Sequence, residues 1–581
     1  MIFCRLSGIS ILYCNKTKKY RKKMAIITNN YKYTYLYFLI NILIFDTMGI
    51  PSYFSHIIRS HPAIRKMKLP ITGIDEFYMD SNSVVYDAFN HLEGNNAGNT
   101  IITNDMIINH VIESLDKLIN KVPIKALLYI AFDGTAPVAK IAQQRDRRFK
   151  SAAISLILPN TLQITPGTKF MDDLTIAVKA HFLYGEPRPY KIIISGSDEP
   201  GEGEQKMFSY VRENYTQSKA DNMSTMSAAV YGLDADLFML SLFHCKYWKE
   251  LYIYRERQVE SKSSSSSSSK SNSPIDAVDV LDICELEHRL CQYSNGDIRQ
   301  YIFMCFLLGN DFIKKMIILD LRGNGMQLLM NIYKHISKPF IVGKDDNIHW
   351  KNVWTFLDVL AKKEQSLLCT LYQEREKQEI RVNGMNETDK QRMYPCINRE
   401  IEKYICPTED GWQYRYYQVL LDIDITTNHG KDELKKICIN YLESLEWTWK
   451  YYSKDCPDWK WKYNYAYAPL ISDLVKYIPH YTMNFFPPEL ITIPISSQLQ
   501  LALVYPRNAA QKWIVSKSGC DFIDKYGKQL YGNNDGGDDD DDCCTKLEYH
   551  SAFCTFDWEC HPILPPINEL LLLLHVETNV K

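Results

Sequence analysis

Four short apolar runs constrain this chain more than any other feature, because three of them stop at an aspartate. FYMD (77–80), LLYIAFD (127–133) and AAVYGLD (228–234) end in Asp80, Asp133 and Asp234, and KIIIS (191–195) is a fourth run of the same kind. Such runs are too short for buried helices and suit strands covered on both faces. Helix-period segments cover about 104–120, 137–156, 170–184 and 203–213. This alternation predicts an α/β fold, a parallel-sheet core with helices on both faces. The ligand cleft of such a sheet lies at the carboxyl ends of its strands, which is where the acids fall.

At 581 residues the chain exceeds one core, and its 46% hydrophobic and 23% charged composition excludes a disordered or fibrous class. Pro51 opens a short helix over 51–59. After a serine tract (261–273), read as a solvated loop, the pattern turns mainly helical, with a strong helix near 297–309 and an aromatic-dense stretch at 447–469. An acidic run at about 533–542 reads as a surface loop. The expected organisation is an N-terminal extension (1–47) that is unstructured or a non-native start, an α/β region (48–294), and a largely helical second region (295–577).

Charge is unevenly spread. Residues 1–47 carry +7, which leaves −9 on the rest of a chain whose net charge is −2. Any contact with a polyanion must therefore rest on a local basic patch. The sixteen cysteines include no C-x-x-C pair and read as free thiols in a reducing, intracellular compartment, with cytoplasm and nucleus both open. Tyr33–Phe45 is the one apolar stretch suggestive of a membrane, and its 13 residues fall short of the ~20 a span needs. No stable membrane association is expected.

Seven acids follow apolar runs or glycine-rich turns: Asp80, Asp133, Glu202, Glu204, Asp234, Asp236 and Asp311. Glu202 and Glu204 would diverge on a regular helix, but Gly201 and Gly203 allow a turn that points both one way. Seven carboxylates in one cleft raise each other's pKa unless cations neutralise them. Hard divalent ions with oxygen ligands, Mg²⁺ or Mn²⁺, meet that need, and two such ions suit phosphodiester hydrolysis. Just past Asp133, Lys140, Gln144, Arg147 and Arg148 recur at the spacing of one helical face, a pattern suited to a terminal phosphate.

These blocks together resemble the XRN family of 5′→3′ exoribonucleases. They are MGIPSYF (48–54), FYMDSNSVVYD (77–87), FDGTAPVAKIAQQRDRRFKSA (132–152), SGSDEPGEGEQKM (195–207), YGLDADLFML (231–240), FLLGNDF (306–312), YYSKDCPDWKWKYNYAYAPLISD (451–473) and FDWECHPILPPINELL (556–571). The resemblance covers about 48–576. It implies a nuclease core like that of the PIN and flap enzymes. It also implies a processive hydrolase that takes single-stranded RNA bearing a 5′ monophosphate to mononucleotides, with roles in RNA turnover. The seven acids match the family's metal ligands, with two ions implied, and Lys140, Gln144, Arg147 and Arg148 match its 5′-phosphate pocket.

The sequence also departs from the family. Tyr86 stands where the family has a histidine that stacks on the terminal base, with Trp461 or Trp459 as the second stacking ring. Ile313-Lys314-Lys315 replaces Leu-Pro-His after Phe312, and residues 1–47 have no counterpart. Two other readings compete: a flap-type structure-specific 5′ nuclease on DNA, for which Arg322-Gly-Asn-Gly325 is a poor helix–hairpin–helix match, and an inactive RNA-end-binding protein, against which the intact acid set argues.

Overall fold

The computed structural model describes residues 5–6, 9–10, 49–50, 52–95, 102–154, 160–215, 225–256, 278–337, 339–507, 509–510, 514, 517–531 and 548–567. The serine tract, the acidic run and Tyr33–Phe45 lie outside them. The chain divides into two units, Met1–Asp46 and Thr47–Lys581. The first is described only at two short antiparallel strands, Arg5–Leu6 and Ile9–Ser10.

The second unit is built on a seven-stranded sheet. Its strands are β1 (Arg65–Lys66), β2 (Ile74–Asp80), β3 (Ile124–Ala131), β4 (Lys191–Ser195), β5 (Ser227–Tyr231), β6 (Glu250–Glu256) and β7 (Val278–Asp282), in the spatial order β1-β7-β6-β5-β2-β3-β4. The five strands from β6 to β4 are parallel, as expected. β6 and two strands paired antiparallel, β7 and β1, extend one edge beyond the four strands expected from sequence. The strand order reverses between β2 and β5, a switch point of the kind that leaves a crevice at the strand ends.

Residues alternate across the sheet. Phe77, Met79, Leu128, Ile130, Ala229 and Tyr231 face one core with the helices α2 (Asn82–Asn95), α3 (Asn104–Asn120) and α5 (Lys169–Tyr184). Tyr78, Tyr129, Ala131, Ala228 and Val230 face the other, with α1 (Tyr53–Ser60), α6 (Gly203–Asn214) and α7 (Asp236–His244). Thr103 and Thr168 cap α3 and α5 by accepting from Met106 N and Met171 N. Each buried aliphatic side chain on these faces contributes roughly 1.5–3 kcal/mol.

That second core runs on into the helical region without a break. It takes in α8 (Ile298–Phe306) and α9 (Asn428–Ser453), a helix of 26 residues. Phe243 of α7 packs edge-on to Trp449 of α9 at 5.6 Å, and Phe306 to Tyr452 at 5.4 Å. The part of the aromatic-dense stretch that lies on α9 is thus core, and it carries the end of α9 to the carboxyl ends of the strands. α4 (Val138–Ile154) packs instead on α10 (Ser497–Val504), within a third core. All twelve described cysteines are free. No described helix is long and apolar enough to cross a membrane.

Candidate active site

All seven acids belong to one electrostatic cluster at the carboxyl ends of the strands. Asp80 ends β2, and Asp133 lies two residues past β3. Asp80 feels Asp133, Asp234 and Glu202; Glu204 feels Asp236; and Asp236 feels Asp311. Glu202 is the extended residue before α6, and Glu204 sits in its first turn. Gly201 at φ 107° makes the turn, so the two glutamates need not diverge. Asp236 is the first residue of α7.

Backbone and tyrosine donors hold the acids in place. Gly203 N donates to Asp133 Oδ1 at 2.7 Å, and Asp133 N to Asn82 Oδ1 at 3.2 Å. Gly49 N donates to Asp311 Oδ1 at 3.0 Å. Tyr451 donates to Glu202 Oε1 at 2.6 Å, and the neighbouring Tyr452 hydroxyl holds the Asp236 carboxyl down against burial. A Cβ on Gly49 would lie 2.4 Å from Asp236 Oδ1, and its φ is 69°. Only glycine fits that approach.

Burial is the leading force on Asp80, Glu202, Glu204, Asp234 and Asp236. It raises Asp234 to about 6 and Asp236 to about 8, and lifts Asp80 and Glu204 well above the ordinary range, with neighbouring acids adding to it. Asp80 Oδ1, Glu204 Oε2 and Asp236 Oδ1 are buried without a hydrogen-bond partner. Among the described residues no three His, Cys, Asp or Glu side chains converge as a finished metal cage. A lysine stands among them instead: Lys140 Nζ is 2.6 Å from Glu202 Oε2 and 2.8 Å from Asp311 Oδ2. Burial opposes the Lys140 ammonium, but Asp311 and Glu202 overcome it and raise its pKa.

The other basic-face residues spread around α4. Arg147 lines a cavity with Asp311, and its charge bears on Asp234. Gln144 Oε1 is buried without a partner. The Arg148 guanidinium lies 5.3 Å over the Tyr505 ring and donates to Leu162 O at 3.4 Å. Tyr86, half-buried on α2, also lies near Tyr505.

The two tryptophans separate. Trp461 is 9% exposed, stacks on Trp447 at 5.3 Å, meets Phe486 edge-on, and donates to Glu443 Oε2. It is a core residue. Trp459 is half-buried, and its carbonyl accepts from Val138 N at 2.9 Å, beside the start of α4.

Sequence reasoning gave no role to Tyr451, Tyr452, Asn82 or the Gly49 N–H. The tandem tyrosine of YYSKDC was visible as a family block, but at helical spacing it reads like any core aromatic.

Fold and site together define an α/β protein with an acidic cleft at the ends of its parallel strands, closed by a helical region. The chain belongs to the XRN family. The model described as XRN 5′-3′ exonuclease N-terminus matches residues 48–156 and 158–257, and the Xrn1 helical domain matches 295–405 and 398–514. Among similar curated proteins, 5′-3′ exoribonuclease 1 of Saccharomyces cerevisiae is 24% identical over 581 aligned residues, covering 74% of this chain and 37% of that one. The 5′-3′ exoribonuclease 2 homolog of Drosophila melanogaster is 24% identical, covering 79% and 64%. The human 5′-3′ exoribonuclease 1 is 24% identical, covering 74% and 29%. The chain thus spans between about a third and two thirds of the length of these relatives.

Proposed function

We propose that this chain is a divalent-cation-dependent 5′→3′ exoribonuclease that releases mononucleotides from single-stranded RNA with a 5′ monophosphate. In this reading 48–294 carries the catalytic acids and 295–577 completes the site. The observation that carries the proposal is the set of three buried, unpartnered carboxylate oxygens, on Asp80, Glu204 and Asp236, beside the basic helix α4. A donor set of hard carboxylate oxygens fits Mg²⁺ or Mn²⁺, and seven acids are enough for two ions. Bound divalent cations supply Lewis acidity to the scissile phosphate.

The chain's own residues do the rest. Asp80, Asp133, Glu202, Glu204, Asp234, Asp236 and Asp311 would hold the ions. Lys140, between Glu202 and Asp311, offers its ammonium to a phosphate oxygen of the bound RNA end. Arg147, Arg148 and Gln144 receive the terminal phosphate. Tyr86 and Trp459 stack on the terminal base, since Trp461 already spends its faces in the core. The flap-nuclease alternative is disfavoured because Arg322 is engaged with Glu559 and with the rings of Phe556 and Trp558.

The test is Asp234→Asn and Asp236→Asn. Cleavage in saturating Mg²⁺ is expected to vanish while RNA binding persists. Near wild-type turnover in either variant contradicts the assignment.

A further inference from the structure

The stretch 548–563 folds into a closed loop that brings two thiols together. Tyr549–His550 and His561–Pro562 pair antiparallel, with His550 opposite His561, and Ile563 N donates to Glu548 O at 2.8 Å. Ser551 and Cys560 are the residues at which the two chains leave this pair. Cys554 N donates back to Ser551 O at 3.2 Å, with Phe553 at φ 63°, and this turn returns Cys554 toward Cys560. Both cysteines are buried, and both line a cavity of ≈ 240 Å³ beside the loop 308–322.

The two thiols are set apart in acidity. The Cys560 thiol beside it lowers Cys554 against burial, and Lys315 and Arg375 act the same way. Cys554 raises Cys560, and burial adds to that. The two cations are fixed there: Arg375 Nη2 donates to Cys554 O at 3.0 Å, and Lys315 Nζ to Phe553 O at 3.4 Å. A thiol favoured as thiolate next to one kept protonated is the arrangement of a nucleophile and its resolving partner. Other buried thiols lack it. Burial raises Cys305 and Cys438, and Cys396, also raised by burial, donates to Thr555 O at 3.3 Å.

We propose that Cys554 and Cys560 are an oxidisable thiol pair that hydrogen peroxide closes to a disulfide. The Cys554 thiolate attacks one peroxide oxygen. An S–O bond forms, the O–O bond breaks, and the departing hydroxide takes up the Cys554 proton as water. The Cys560 sulfur then attacks the Cys554 sulfur. The S–S bond forms, the S–O bond breaks, and the hydroxyl leaves with the Cys560 proton as a second water. The two sulfurs give up two electrons, and one peroxide becomes two waters. The cavity has room for several waters at about 30 Å³ each, so a molecule as small as peroxide reaches the thiols. In a reducing compartment such a bond is transient and redox-sensing. Lys315 and the Arg322–Glu559 pair grip the loop from the segment that carries Asp311, so the bond forms next to the acid cluster. The step uses none of the seven acids, does not depend on the nuclease reading, and is tested without RNA.

The experiment treats the reduced full chain with hydrogen peroxide, alkylates the remaining thiols after unfolding, and maps the products by mass spectrometry. Trypsin and a glutamate-specific protease, which cuts after Glu559, part the two cysteines. The peptides holding Cys554 and Cys560 are expected to be joined, two hydrogens lighter than their sum, and separated again by dithiothreitol. Cys305 and Cys438 should still be alkylated at that dose. Cys560→Ala should leave a sulfenic acid on Cys554 that dimedone traps, and Cys554→Ala should leave Cys560 reduced. Serine replaces alanine in any variant that does not fold, and the wild-type map decides the pairing without either. Cys554 still alkylated at a dose that oxidises Cys305, or Cys554 joined to Cys396, Cys543 or Cys544 instead, overturns the proposal.

Discussion

Lys140→Met tests the logic of the acid cluster. The ammonium makes two short contacts, 2.6 Å to Glu202 and 2.8 Å to Asp311, and its side chain is 8% exposed. Methionine keeps the length and removes the charge. Without cations, Glu202 and Asp311 then lose the positive charge between them, and breaking a buried pair in this way costs about 3–5 kcal/mol. Each kcal/mol moves the melting point of a mid-sized domain by roughly 2–4 °C and that of a larger unit by less. A fall on the order of 5 °C in EDTA is therefore expected. Saturating Mg²⁺ puts charge back beside the same carboxylates and should recover at least half of it. RNA cleavage in Mg²⁺ should still drop about tenfold or more, because a charged contact to phosphate is lost. The assay is thermal unfolding in EDTA and in Mg²⁺, with cleavage measured in parallel. A variant as stable as wild type in EDTA, or equally destabilised in both buffers, would refute the view that lysine and cations serve the same carboxylates.

Asp234 and Asp236, raised to about 6 and about 8, hold protons in the folded chain that the unfolded chain releases near 4. Metal-free stability should therefore fall as pH rises from about 4 to 8, and Mg²⁺ should flatten the profile; a metal-free melting point that is level or rising over this range contradicts the burial argument. Trp459→Ala should cut cleavage with little change in melting point, whereas Trp461→Ala should chiefly destabilise, because it removes the stack on Trp447. The reverse pattern, read by melting and cleavage side by side, would exchange their roles. Gly49→Ala should weaken cleavage while leaving the cores intact, since the new methyl lies 2.4 Å from Asp236 Oδ1; wild-type cleavage in that variant would show that the segment moves freely.

The parallel strands were legible because apolar runs stopped at acids, and the acids were legible as a set because each stood at such a stop. β6 and β7 were missed for a physical reason. Glu250–Glu256 and Val278–Asp282 bring charged residues into the strands, and the serine tract falls between them, so neither reads as a buried run. The basic face of α4 was visible from its spacing, yet spacing could not show that Lys140 turns into the acids while Arg148 turns toward Tyr505. The choice between Trp459 and Trp461 was also beyond the sequence. Two residues apart in an irregular segment, they differ only in which ring α9 covers.

The most direct test offers one RNA sequence with a 5′ monophosphate, a 5′ triphosphate or a 5′ hydroxyl, in Mg²⁺ and in EDTA, and identifies the products. The account predicts 5′ mononucleotides released in order from the monophosphate end, in Mg²⁺ only, with the other two ends used poorly. Internal cuts, equal use of all three ends, or undiminished cleavage in EDTA would contradict it.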